Sequence, residues 1–358
     1  MPDRIKVSAP GRICLFGEHQ DYLHLPVIPS AISLRISIEG AHREDAEVVI
    51  HLPDVGEEES FSLRGPIRYV KERDYFRSAA NVLLRENFSF SRGFDCRVTG
   101  NIPINAGTSS SSALIVAWIG FLTRMSDQAN TLPAVEIARL AHRAEVLEFN
   151  EPGGMMDHFS TSLGSTIFLD FEPKTQHTFL SAPLKTFVLG NSLEPKDTKG
   201  ILARVKNQVL AATERLTAKF PGFHLRRTSM EELDRFAGDI TSDQRELLQA
   251  TLQNYAITLE AKQALQREPL DHANVGRLLN AHQQILRDVL RISTRKIDRM
   301  IDAALNAGAY GAKINGSGGG GCMFAYAPEH PEAVIEAIER AGGKGHLIEI
   351  DQGIRYDF

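Results

Sequence analysis

Apolar and polar positions follow two different periods along this chain. Residues 5–7, 34–38, 47–52 and 94–98 alternate or cluster β-branched side chains, which predicts strands. Residues 75–86 carry helical spacing. Residues 111–125 are apolar on nearly every side, which predicts a helix buried all round. A second helix is predicted over 131–149, with Pro133 in its first turn and apolar positions at Val135, Ile137, Ala138, Ala141 and Ala144. A strand over 165–171 closes the first half. The second half opens with a strand at 186–189. Predicted helices follow at 198–217, 242–265, 271–290 and 293–307. Strands at 322–326 and 347–350 then flank a helix at 331–341.

A chain of 358 residues exceeds one ordinary core, so two domains are expected, 1–183 and 184–358. No internal repeat or low-complexity tract interrupts them. The net charge of −5, with both signs mixed, leaves no electrostatic footprint for nucleic acid and no basic face for an anionic membrane. The longest apolar run, 113–122, is well short of a bilayer span, and the N-terminus has no apolar signal core. Cys14, Cys96 and Cys322 lie far apart in apolar or glycine-rich surroundings, without metal spacing. Buried free thiols in a reducing cytoplasm are the expectation. No heptad pattern argues for a dimer.

Three segments carry candidate chemistry. In the first, APGRICLFGEHQD over 9–21, Ile13, Leu15 and Phe16 suit a buried strand, and Gly17 allows a sharp turn. Arg12, Glu18, His19 and Asp21 need polar partners if buried, as the groups that hold a small polyhydroxyl ligand would. The second, PINAGTSSSSA over 103–113, runs small residues straight into the apolar helix. Backbone amides there can converge on a phosphate, aided by the helix dipole. Its serines can donate to phosphate oxygens, and one can ligate magnesium. The third, KINGSGGGGC over 313–322, grips a glycine run between a helix and an apolar strand. That suits close backbone approach better than a flexible linker. Between them stand Glu145, late in an apolar helix, and Asp157 after a glycine pair. Glu145 is a candidate magnesium ligand and Asp157 a candidate base for a substrate hydroxyl.

In this order the three segments resemble the GHMP small-molecule kinases: galactokinase, homoserine kinase, mevalonate kinase and phosphomevalonate kinase. Pro10-Gly11-Arg12 and Gly17-Glu18-His19-Gln20-Asp21-Tyr22 match the galactokinase pattern PGR…GEHxDY. The second segment is similar to the family's phosphate loop and the third to its C-terminal glycine motif. Ala144-Glu145 and Gly154-Met155-Met156-Asp157 reproduce a family spacing, and His282, Ile292-Ser293 and Asp298 fall where its late helices lie.

The resemblance implies an α+β, two-domain fold. It has an N-terminal mixed α/β domain and a C-terminal ferredoxin-like domain with inserted helices, with the active site in the cleft. It implies that Asp157 is the base and that Arg12 is the cation beside the transferred group. Glu18, His19, Asp21 and Gly154 would contact a sugar. Gly107, Thr108, Ser109, Ser110 and Ser111 would cradle the phosphates of ATP, Gly318 and Gly319 would shape the same site, and Ser111 and Glu145 would hold Mg2+.

The match departs from the family in places. Asn105 and Ala106 replace usual glycines and Thr108 a leucine, so positive φ at 106 would strain the loop. Residues 22–26 lack the Asn-Gly-Gly common in galactokinases. After Asn191-Ser192 the stretch LEPKDTK over 193–199 is similar to mevalonate kinases, with no sugar-contacting tyrosine downstream. Arg12 points the other way, since mevalonate kinases usually carry lysine there. The expectation is an ATP- and magnesium-dependent sugar kinase acting at the anomeric hydroxyl. The alternatives are a mevalonate kinase and a catalytically silent sugar and ATP sensor.

Overall fold

The computed structural model describes residues 4–151, 153–196, 198–236 and 238–357. In the first half, β1 (Ile5–Phe16), β2 (Ile28–His42), β3 (Glu47–Leu52) and β4 (Glu57–Ser62) precede α1 (Tyr75–Arg85) and β5 (Phe94–Gly100). Next come α2 (Ser110–Met125), α3 (Ala134–His142), α4 (Met156–Leu163) and the ribbon of β6 (Ile167–Asp170) and β7 (Gln176–Phe179). The second half holds β8 (Phe187–Asn191), α5 (Thr198–Lys219), α6 (Met230–Arg235), α7 (Ser242–Ala264), α8 (His272–Asp288) and α9 (Arg295–Asn306). It ends with β9 (Gly311–Ile314), β10 (Cys322–Tyr326), α10 (Pro331–Arg340), β11 (Lys344–Ile348) and β12 (Arg355–Asp357). Asp197, inside the stretch singled out at 193–199, lies outside the described residues.

A six-stranded sheet has the order β12-β1-β2-β5-β3-β4. A four-stranded antiparallel sheet has the order β11-β8-β10-β9, the ferredoxin-like arrangement, with α5 to α9 inserted between its first and second strands. The chain's last strand, β12, returns to pair with β1 of the first sheet. As the all-round apolar sequence requires, α2 is buried along its length. The Trp118 indole N–H at its centre donates to the Phe76 carbonyl at 3.0 Å.

The two sheets share a buried cluster in which Ile13, Leu15 and Phe16 of β1 meet Phe187, Leu189, Phe324 and Tyr326. The cleft floor is therefore an apolar core, and an apolar core resists the backbone shifts that would blur a catalytic geometry. Strand β1 is longer than its alternation predicts. Pro10 and Gly11 do not end it but produce a register shift against β2 between Pro10 and Arg12. Such an irregularity re-aims a side chain, here Arg12.

The helix expected over 131–149 begins after Pro133 and loosens into a π-turn at Arg143–Leu147. The expected strand 165–171 is shorter, Ile167–Asp170, and the one expected at 347–350 lies earlier, at Lys344–Ile348. All three cysteines are free and buried.

Candidate active site

The bulge in β1 aims Arg12 at helix α4. Its Nε donates to Asp157 Oδ1 at 2.8 Å, and its Nη2 lies 2.8 Å from the same oxygen. A third nitrogen, Nη1, donates to the Gly107 carbonyl at 2.5 Å. Gly11 is required beside it, because a β-carbon there would lie 2.9 Å from the Thr108 carbonyl oxygen. That oxygen instead accepts from the Arg12 amide at 3.1 Å. Burial by itself would raise the Asp157 pKa, but the Arg12 charge and neighbouring His158 outweigh it and hold the carboxyl below its usual range. Asp157 is therefore ionised at neutral pH.

The phosphate-loop candidate solves its strain differently from the expectation. Positive φ falls on Asn105 (54°), Gly107 (86°) and Ser109 (58°), while Ala106 is not among the positive-φ residues. Asparagine tolerates that region best among non-glycines, so an alanine at 106 costs nothing there. Ser109 is the N-cap of α2, yet its side chain makes no cap bond. Its buried hydroxyl has no well-formed hydrogen bond, and it stands close enough to Asp157 to favour the ionised carboxylate. The first amides of α2 carry no intrahelical partner, and they form an anion-binding end.

Two cavities meet at this helix end. One, of about 230 Å³, is polar and is lined by Arg12, His19, Asp21, Glu145, Asp157 and Lys196 among others. The other, of about 320 Å³, is more apolar, with Leu52, Phe76, Val98, Ile102 and Leu114 in its wall. Ser111 and Tyr75 line both. Thr108 is fully buried beneath the loop, Ser110 lines the apolar cavity, and Gly107 and Ser109 line neither.

Glu145 projects from the π-turn, a local distortion common at functional sites. His158 Nε2 lies 2.7 Å from its Oε2. A ring nitrogen facing a carboxylate carries the proton, so His158 orients the group. Burial would raise the Glu145 pKa, but His158 and the Ser111 and Ser112 hydroxyls bring it below the usual value. A lone ionised carboxylate beside a serine hydroxyl fits Mg2+, which keeps several waters and takes its remaining ligands from phosphates. Among the described residues no group of three His, Cys, Asp or Glu side chains forms a site for a metal.

The residues expected to contact a sugar divide. Asp21 is pushed up to about 6, first by burial and then by the Asp157 charge. Gly154 is packed against it: a β-carbon there would lie 1.9 Å from Asp21 Oδ2. His19 uses both ring nitrogens. Nε2 faces the Ser317 carbonyl at 3.1 Å and so carries the proton, leaving Nδ1 to accept from the Tyr22 hydroxyl at 3.0 Å. Burial pushes its pKa down to about 4, which keeps it neutral. Glu18 borders the same cavity but turns its carboxylate to Lys313, whose Nζ is 2.5 Å from Oε2, and accepts from the Gly316 amide at 3.3 Å.

The glycine run does approach other backbone closely. Gly316 sits against Gly107, with 2.9 Å between its β-carbon position and the Gly107 oxygen, and Gly321 packs on Ala106. Asn315 Nδ2 donates to the Gly107 carbonyl at 2.9 Å. Gly318 instead packs on Ile292, and the Gly319 amide donates to the Ile292 carbonyl at 2.7 Å, so these two face away from both cavities.

Sequence reasoning passed over Lys196, Lys313, His158 and Tyr75. The one available signal was His158 directly after Asp157, since a histidine one residue from a candidate base on a short helix points to the neighbouring carboxylate.

Residues 74–165 match the N-terminal domain of the GHMP kinases, 261–344 their C-terminal domain, and 2–42 the galactokinase galactose-binding signature. A mevalonate kinase of Thermococcus gammatolerans is 29% identical, covering 99% of this chain and 98% of that protein. A galactokinase of Pyrococcus furiosus is 27% identical, covering 90% and 88%. The crystal structure of Lactococcus lactis galactokinase complexed with galactose superposes with a TM-score of 0.86 at 23% identity, over 99% of this chain and 95% of that one. The Methanococcus jannaschii mevalonate kinase structure gives 0.76 at 18%, over 98% and 99%. With matches in both halves of the chain and the same two-domain fold, this protein belongs to the GHMP kinase family of small-molecule kinases.

Proposed function

We propose that the protein transfers the terminal phosphoryl group of ATP to a hydroxyl, the anomeric one, of a neutral free monosaccharide. The observation that carries this reading is Asp21: an acidic side chain that lines the polar cavity, its pKa pushed up to about 6 by burial and by the Asp157 charge. A hydroxyl donor satisfies such a group, whereas the carboxylate of an anionic acceptor is repelled by it. The galactose-binding signature over 2–42 supports the same class of acceptor.

In this reading ATP lays its adenine in the apolar cavity and its phosphates across Ser111 and the start of α2, and the sugar occupies the polar cavity. Asp157, held ionised, takes the acceptor hydroxyl's proton as the oxygen attacks the terminal phosphorus and ADP leaves. Phosphoryl transfer has a loose transition state, so a weak base suffices and charge neutralisation dominates. Arg12 supplies positive charge there while fixing both Asp157 and the loop carbonyl of Gly107. Ser111 and Glu145 would hold Mg2+, which would neutralise phosphate charge. Asp21 and Gly154 would contact the sugar. His19 and Glu18, engaged with Ser317 and Lys313, would shape the loop beneath it.

The second reading, a mevalonate kinase, is favoured by full-length relatives at 28–29% identity. Coupled ADP release over a panel of monosaccharides and mevalonate separates the two. The sugar reading expects turnover with a neutral aldose. Turnover with mevalonate alone overturns it, and ATP binding without turnover of any acceptor indicates a sensor.

A further inference from the structure

Lys196, on the segment between β8 and α5, plays no part in the chemistry above. It borders the polar cavity with Arg12, Asp157 and Ser111. Its Cε lies 3.7 Å from the position of a β-carbon on Gly107, so its stem runs along the phosphate loop. No hydrogen bond or ion pair holds its ammonium among the described residues. Burial first, and then the like charge of Arg12, push its pKa down to about 8, with Asp157 and Cys322 partly offsetting them. His19, the other titratable group that feels it, is itself lowered by the Lys196 charge and stays neutral. A cation kept beside a second cation costs free energy in the empty site, and that cost is recovered only when negative charge arrives.

We propose that Lys196 is a second catalytic cation of this kinase, neutralising the transferred phosphoryl group together with Arg12. Its place along Gly107 puts it beside the phosphate loop. It also comes from the second half of the chain, whereas Arg12, Gly107 and Asp157 come from the first. The positive charge at the phosphate is therefore complete only when the two halves of the cleft are together.

The proposal rests on the kinase reading, and its test keeps the two apart. Lys196→Met and Lys196→Arg are compared with wild type by ADP release, by calorimetric binding of ATP and of ADP, and by thermal unfolding. Lys196→Met is expected to lower kcat about 10²-fold, with acceptor KM within threefold and a Tm no lower than that of the wild type. Lys196→Arg should recover at least a tenth of wild-type kcat, and the fall in kcat/KM for ATP near pH 8 expected of the wild type should move above pH 9. Should no acceptor be found, Lys196→Met must still narrow the preference for ATP over ADP, because the terminal phosphate is the group it meets. A kcat within threefold of wild type, a loss confined to acceptor KM, or an unchanged ATP-to-ADP preference overturns the proposal.

Discussion

Replacing Glu18 by Gln asks whether this residue belongs to the substrate or to the fold. Glu18 and Lys313 are 1% and 0% exposed in their side chains, and Lys313 gives its remaining hydrogen bonds to the Cys14 carbonyl at 3.0 Å and the Ile314 carbonyl at 2.9 Å. The pair joins the turn after β1 to β9, and thus one sheet to the other. With Gln at 18 the ammonium stays buried with only neutral acceptors, a situation that costs about 3–5 kcal/mol. Unfolding entropy of about 2 cal/mol/K per residue converts this to a Tm lower by roughly 4–7 °C for cooperative loss of the whole chain. The partner change, Lys313→Met, should cost about as much, and the double variant Glu18→Gln with Lys313→Met should recover most of it. Thermal and urea unfolding of all four proteins read the cycle, with ADP release run alongside. If Glu18→Gln unfolds within about 1 kcal/mol of wild type while acceptor KM rises tenfold, the carboxylate serves the ligand and the reasoning is wrong.

Gly154→Ala drives a methyl group into Asp21, so acceptor KM should rise by tenfold or more while ADP affinity holds; an unchanged KM would place the acceptor elsewhere. Asp21→Asn bears on stability through pH. The folded pKa of about 6 lies above the unfolded 3.8, so ionising Asp21 favours the unfolded chain, with the penalty absent below pH 3.8 and complete above pH 6. After discounting for partial solvent access, Asp21→Asn should stabilise the free protein by about 1–2 kcal/mol at pH 7.5 and much less at pH 4.5. Urea midpoints at the two pH values check it, and an equal gain at both would show that the carboxylate is not desolvated.

Much of this site was legible in the sequence because its parts are local. Arg12 follows a Pro-Gly pair that distorts β1, and Asp157 begins the helix after a glycine pair, so residue type and neighbours sufficed. Helix α2 was legible for the same reason, since burial on every side leaves its mark in fifteen consecutive residues. What escaped was set by partners distant in sequence. Lys313 reads as the polar start of a glycine segment, and only the sheet pairing that carries it under β1 reveals the 295-residue link to Glu18. The strand β4, with its acidic run Glu57-Glu58-Glu59, reads as a loop because an edge strand exposes its side chains and needs no apolar alternation.

The phosphate loop shows how a departure from a family pattern is absorbed. Its left-handed turns fall at Asn105, Gly107 and Ser109, alternating with residues in ordinary conformations. The alternation leaves Ala106 free to offer its carbonyl to the Cys322 amide at 2.8 Å, and Gly107 to offer its own to Arg12 and Asn315. The glycine-rich segment therefore serves the site by gripping the back of the loop. Gly318 and Gly319 support Ile292, and Gly316 and Gly321 support the loop. Side chains at these last two positions would push residues 106 and 107 toward the cleft, moving Arg12 off Asp157 through the Gly107 carbonyl to which Arg12 donates. In this chain Gly318, Gly319 and Gly321 fix the loop and its support without lining either cavity, and Gly316 alone among these four borders the polar one, so the segment acts on the site chiefly through the backbone it grips.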